Sequence, residues 1–201
     1  KKPGIWLNTL NTFFHESFHA IVALILGNKV KEIDFDASTE GSCTSMSKSK
    51  LRTVLCSLAG YIGCALISLL FILCIETQYV NLVFTVITIF SFITLLLYIR
   101  KTYAMVWTIC FACINLFFIL IPTPLYIQNY LLFTYATIIL IENTKACFAI
   151  LYLSFFKAKK SGDCSILAKV TKVPAFVWAI IFNAVNWWVI YRFFVLCFLP
   201  K

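Results

Sequence analysis

Two histidines occur in the 201 residues, and they stand four apart in His15-Glu16-Ser17-Phe18-His19. On a helix such positions share one face, a turn apart, so both imidazoles can turn a nitrogen toward one ion. Glu16 lies about 100° around the same helix, close enough to reach a water beside that ion. This is the HExxH arrangement of two zinc ligands and a general base. Zinc lowers the pKa of a ligated water to about 7, and the carboxylate takes the proton as a carbonyl is attacked. The pattern predicts metal-assisted peptide hydrolysis, with His15 and His19 holding Zn2+ and Glu16 catalytic. The plainer alternatives are a polar packing face or a proton relay.

A hydrolytic zinc usually has three protein ligands and one open position. No histidine remains, so the third must be a carboxylate, or less readily a Cys or Asn. Asp163, Glu142, Asp36 and Glu40 are the candidates. Asp163 is preferred because Ser161-Gly162-Asp163-Cys164 lies between a basic run and Pro174, where a short segment can fold back on the first helix. Its competing role is a helix N-cap.

The motif sits inside an apolar run, where each ionisable side chain costs ~2.5–3.5 kcal/mol on insertion scales. Three within five residues point to a function. The chain is 62% hydrophobic and 12% charged, against about 45–50% and about 25% in soluble domains, so lipid is its expected solvent. No soluble domain or low-complexity linker is visible, and residues 1–201 read as a single membrane-embedded domain. The net charge of +9 comes from short basic clusters between apolar runs, the pattern of loops beside an anionic leaflet. Without a basic stripe or recognition helix, no nucleic-acid partner is expected. Most of the nine cysteines lie in apolar runs, where Cys acts as a small hydrophobe; the CxxC of Cys110 and Cys113 reads the same way. The His-Glu-His in the first apolar run argues against a cleavable signal peptide.

These residues must be positioned by helices. The predicted fold class is an all-α integral membrane protein of about six transmembrane helices, with a short β-hairpin between helices 1 and 2. The segments run about 5–26, 54–75, 79–99, 104–121, 125–156 and 175–199. Gly27-Asn28, Arg100-Lys101, Pro122, Pro124 and Pro174 punctuate them. The fifth is too long for a ~30 Å core and predicts a tilt, a break or a protruding end. Its Glu142 and Lys145 have no assigned role. In the 28–53 connection, Ile33 and Phe35 alternate with acids, which suggests a strand. Gly41 allows a turn, and Cys43 to Ser45 can return as its partner. In the second segment, Ala59/Gly63 and Gly60/Cys64 are small pairs four apart that let helices approach closely. With six crossings, the basic 27–53, 100–101 and 157–173 loops share one face, predicted to be cytoplasmic.

His15 to Thr44 reads HESFHAIVALILGNKVKEIDFDASTEGSCT. This resembles the opening of the site-2 protease class of intramembrane zinc metalloproteases, in its short branch without a PDZ domain. The shared pattern is HExxHA, an apolar run, Gly27, a Val30-x-x-Ile33 strand, and a small-residue turn through Gly41 to Thr44. Leu58-Ala59-Gly60-Tyr61 is similar to the next block of that class. Asp163, Leu167, Ala168, Thr171, Pro174 and Trp178 match its Asp–Leu-Ala–Thr–Pro–Trp pattern. The match covers about a third of the chain. An Asn-Pro-Asp-Gly or Leu-Asp-Gly motif is absent, and the turn has one Gly where two are common. The resemblance implies that Asp163 is the third ligand and that the substrate is a transmembrane protein helix, usually cut after a first cleavage.

Peptide bonds in a helix are shielded by their own hydrogen bonds, so such a substrate must unwind. The 30–45 hairpin is expected to offer an edge strand to the unwound segment. His15 lies about 18 Å along the helix from Gly27, whereas Asp163 reads as nearer the surface. Either the 161–173 segment dips inward or the first helix starts higher. The alternative function is a non-proteolytic transporter or scaffold with a vestigial or structural metal site. The nearly apolar third segment disfavours a conduction path.

Overall fold

A computed structural model describes residues 5–36, 41–46 and 49–198. Helix α1 spans Ile5–Ile25. It ends in a left-handed Gly27, φ +71°, with Asn28 N–H donating to the Ala23 carbonyl at 2.8 Å. That is the Schellman-type stop that Gly permits. Strands β1 (Lys29–Phe35) and β2 (Gly41–Met46) follow. Helix α2, Lys50–Glu76, starts at Ser49, whose hydroxyl accepts the Arg52 N–H. Helices α3 (Val80–Leu97) and α4 (Thr102–Leu120) form a hairpin. At its turn the Arg100 guanidinium caps α3 through the Leu96 and Leu97 carbonyls. Helix α5, Leu125–Phe156, follows Pro124 and is unbroken over 32 residues, about 48 Å. Of the outcomes its length allowed, a break is the one not taken. A short 3-10 turn leads to α6 (Asp163–Thr171), and α7 (Ala175–Phe198) follows Pro174.

Among the described residues, five helices are long and apolar enough to cross a membrane: α2, α3, α4, α5 and α7. The first predicted segment forms as a helix but is not among the five. Its Thr9, Asn11, Thr12, Glu16 and Ser17 are all buried against neighbouring elements, so α1 is a mostly apolar helix that turns a polar face inward. Leu82, Val86, Ile89 and Leu96 of α3, like Trp187 and Phe194 of α7, point outward, as a lipid-facing surface requires. Phe13 sits at the centre of the larger core, edge-on to Phe35 and Phe111 and tilted on Trp107. A second apolar cluster joins Cys147 and Ile150 of α5 to Leu167 of α6 and Ala179 and Phe182 of α7. It holds α6 in place.

The hairpin is antiparallel, pairing Ile33 with Cys43 and Phe35 with Gly41, with an irregularity between Val30 and Glu32. It extends further in both directions than the 33–35 and 43–45 pairing expected from alternation. Glu40 lies outside the described residues, as does Lys48 in the basic 27–53 loop.

Candidate metal centre

His15 and His19 lie on the face of α1 turned toward α2 and α6. Their Nε2 atoms are 3.0 Å apart. Asp163 Oδ2 lies 3.4 Å from the first and 3.3 Å from the second. Four-coordinate zinc with bonds of about 2.0–2.1 Å places tetrahedral ligands about 3.3 Å apart, so this triangle has the edges of one tetrahedral face. Among the described residues, these three side chains form the cluster whose geometry could hold a metal ion.

Each donor is oriented by a neighbour. His19 Nδ1 lies 2.7 Å from the Cys56 carbonyl; donating its proton there leaves the Nε2 lone pair free, the usual outer support of a ligating imidazole. His15 meets the Tyr61 ring edge-on at 4.6 Å, and Tyr61 leans in turn on Phe182. Asp163 is the first residue of α6. Burial alone would raise its carboxyl, but the imidazoles of His19 and His15 outweigh that and hold it below the usual carboxylate range. Its contacts with the imidazoles differ from the N-cap role its position allowed.

Glycine makes the convergence possible. A Cβ on Gly60 would stand 2.6 Å from Nε2 of both histidines, and one on Gly63 would overlap the Phe18 ring. The small residues of α2 do pack helices, as expected, and Gly60 does so directly against the imidazoles. The cost of a Gly in a helix, about 1 kcal/mol, is accepted where the rings must pass.

Glu16 is buried, 6% exposed. The β2 backbone covers it so closely that a Cβ on Gly41 would lie 2.6 Å from its Oε1. A cavity of about 520 Å³ connects His15, Glu16, His19 and Asp163 with Ser42, Cys43 and Ser45 of β2. Burial, with Glu16 nearby, pushes the Cys43 thiol up to about 12. It is thus a neutral thiol and a poor ligand in this state.

The other carboxylates do not join. Glu142 pairs with Lys145 along α5, and Asp36 lies outside the cluster. Helix α6 turns back against α2 and brings Asp163 to the two histidines, so the 161–173 segment folds inward on the helices. Phe13 also contacts Trp107, which lies only about 9 Å along α4 from Lys101. The motif is thus nearer the basic turn than its distance from Gly27 suggested. Sequence reasoning missed the Cys56 carbonyl, since a backbone acceptor has no residue signature. Tyr61 had one, as a neighbour of Gly60 in Leu58-Ala59-Gly60-Tyr61.

No curated protein and no solved structure matches the chain. A family model described as Peptidase M50B-like matches residues 2–193, nearly the whole chain, and with its multiple apolar helices the chain belongs to that family of membrane peptidases, the site-2 protease class.

Proposed function

We propose that this chain is a zinc metalloendopeptidase that cleaves transmembrane protein segments within the bilayer. His15, His19 and Asp163 hold the ion, Glu16 is the catalytic base, and residues 1–201 act as one domain. The observation that carries the reading is the convergence of three donor atoms, 3.0–3.4 Å apart, beside a buried carboxylate in one cavity.

Two imidazoles and one carboxylate are a donor set that would suit zinc, which in hydrolases takes three protein ligands and keeps one position open. The ion, when bound, supplies a Lewis acid that acidifies water and polarises the scissile carbonyl. Glu16 takes the proton from the attacking water and delivers it to the leaving amine. Asp163 contributes the charge that offsets the cation, and the Cys56 carbonyl keeps His19 in the tautomer that presents Nε2.

The β2 strand supplies the substrate platform. Ile33 N–H points away from β2 to the Tyr98 carbonyl, so Ile33 and Cys43 form a non-hydrogen-bonded pair. The Cys43 N–H and carbonyl therefore face the outer edge, on the strand that lines the cavity. An unwound substrate segment pairs there by β-augmentation. The basic loops at 100–101 and 157–173 lie on the cytoplasmic side, which puts the cavity near that face.

Metal analysis and cleavage of a membrane-embedded substrate test the assignment together. Glu16→Gln retains zinc and loses cleavage by several orders of magnitude. His19→Ala and Asp163→Asn lose the metal. Zinc content unchanged in His19→Ala would sink the ligand assignment. A zinc-loaded wild type that cleaves no membrane segment would favour the non-proteolytic alternative. Cys43→Pro, which removes an edge N–H, raises KM with zinc content unchanged; an unaltered KM would dismiss the β2 platform.

A further inference from the structure

The hairpin that covers Glu16 is held from outside by the α3–α4 turn, through three kinds of contact. The Ile33 N–H donates to the Tyr98 carbonyl at 3.0 Å, and Ile33 pairs with Ile99 as a parallel bridge. Asp34 forms an ion pair with Lys101. Phe35 packs against Trp107 at 5.8 Å and Phe13 at 6.1 Å. Ile33, Phe35 and Ile99 are fully buried, whereas among the described residues β2 pairs only with β1. The neighbouring Arg100 is committed to α3 carbonyls, so Lys101 is the cation that answers Asp34.

We infer that the α3–α4 turn is the anchor that sets the height and register of the substrate strand over Glu16, with Asp34 and Lys101 as its positioning pair. One edge of a two-stranded sheet must be occupied for the other to present a fixed row of N–H and C=O groups. Here the tail of α3 occupies it with a single short bridge, too little to fix the register alone. The ion pair lies one residue beyond the bridge on the β1 side and two on the α3–α4 side, where it resists sliding along the strand. Gly41, opposite Phe35 in the register, then falls directly over the Glu16 carboxylate. Neither Asp34 nor Lys101 lines the cavity, so both act through the hairpin. The inference rests on the proposed reading of the cavity as a peptide site.

The test uses the full zinc-loaded chain in lipid, comparing Lys101→Ala, Lys101→Arg and the exchange Asp34→Lys with Lys101→Asp. Amide hydrogen exchange at 30–35 and 41–46 reports the anchor, and binding of an uncleaved substrate segment to the Glu16→Gln background reports the platform. Lys101→Ala should speed hairpin exchange about 3–10-fold and raise Kd and KM by a similar factor, with kcat within twofold and zinc unchanged. Lys101→Arg and the exchanged pair should restore most of both. Unchanged hairpin exchange and binding in Lys101→Ala would overturn the inference, as would equal losses in kcat with no change in KM. If the wild type cleaves nothing, the proposed function fails, while exchange and segment binding still decide whether the anchor sets the strand.

Discussion

Two helix pairs in this protein are joined in opposite ways. The α1–α2 pair closes on glycine, with side chains of one helix resting on backbone of the other at Gly60 and Gly63. The α5–α7 pair closes on amides. Asn143 donates to Asn186 at 2.9 Å and to the Tyr61 carbonyl at 3.2 Å, Asn186 donates to Thr144, and Asn183 donates to the Cys147 carbonyl. A glycine contact has little slack, because even a methyl there falls within 3 Å of the facing ring, which must then move. An amide network can adjust by rotamer and is replaceable in parts. The rigid joint therefore sits where two imidazoles meet Asp163, and the adaptable one supports Tyr61 from behind.

That contrast is sharpest at Gly60. Gly60→Val should lower zinc affinity about 10–100-fold, as loss of outer support does, while the helices stay assembled because the rings can swing aside. Metal titration against thermal unfolding separates the two; retained affinity would show that the joint has slack. Asn186→Ala comes next, at about 1 kcal/mol and up to about 1.7 kcal/mol for an interhelical bond in lipid. It should leave zinc content unchanged in a chemical unfolding series. Loss of zinc there would mean that α5–α7 is as unforgiving as α1–α2. Gly63→Ala should cost about 1 kcal/mol, at the low end for overpacking because the half-buried Phe18 ring can shift, again with zinc intact. The smallest effect is expected for Lys145→Ala, under about 0.5 kcal/mol. The Lys145 end of its pair with Glu142 is exposed and the pair lies along one helix, and a larger loss would give that pair a role beyond the surface of α5.

Glu142 also marks the limit of what could be read in advance. As a carboxylate in an apolar run it is a candidate for the third ligand, ranked behind Asp163 because the 161–164 segment can fold back on the first helix and matches the family pattern. Its partner proved to be three residues away on its own helix. Asp163 found its partners about 145 residues back along the chain, through a helix that had been legible only as a segment able to fold inward.

The amino-acid sequence by itself determined what depends on neighbours in the chain. Prolines, Gly27 and the Arg100-Lys101 turn set where helices stop, alternation at Ile33 and Phe35 set a strand, and four-residue spacing put two imidazoles on one face. These follow from backbone geometry within a turn or two, which any window of sequence contains. Tertiary structure supplied the distances at which Asp163 meets both imidazoles, the Cys56 carbonyl beside His19, the room Gly60 leaves for the rings, and the hold of α3–α4 on the hairpin. Each is a contact between distant segments whose approach is fixed by the packing of whole helices, and packing is a property of the assembled shape.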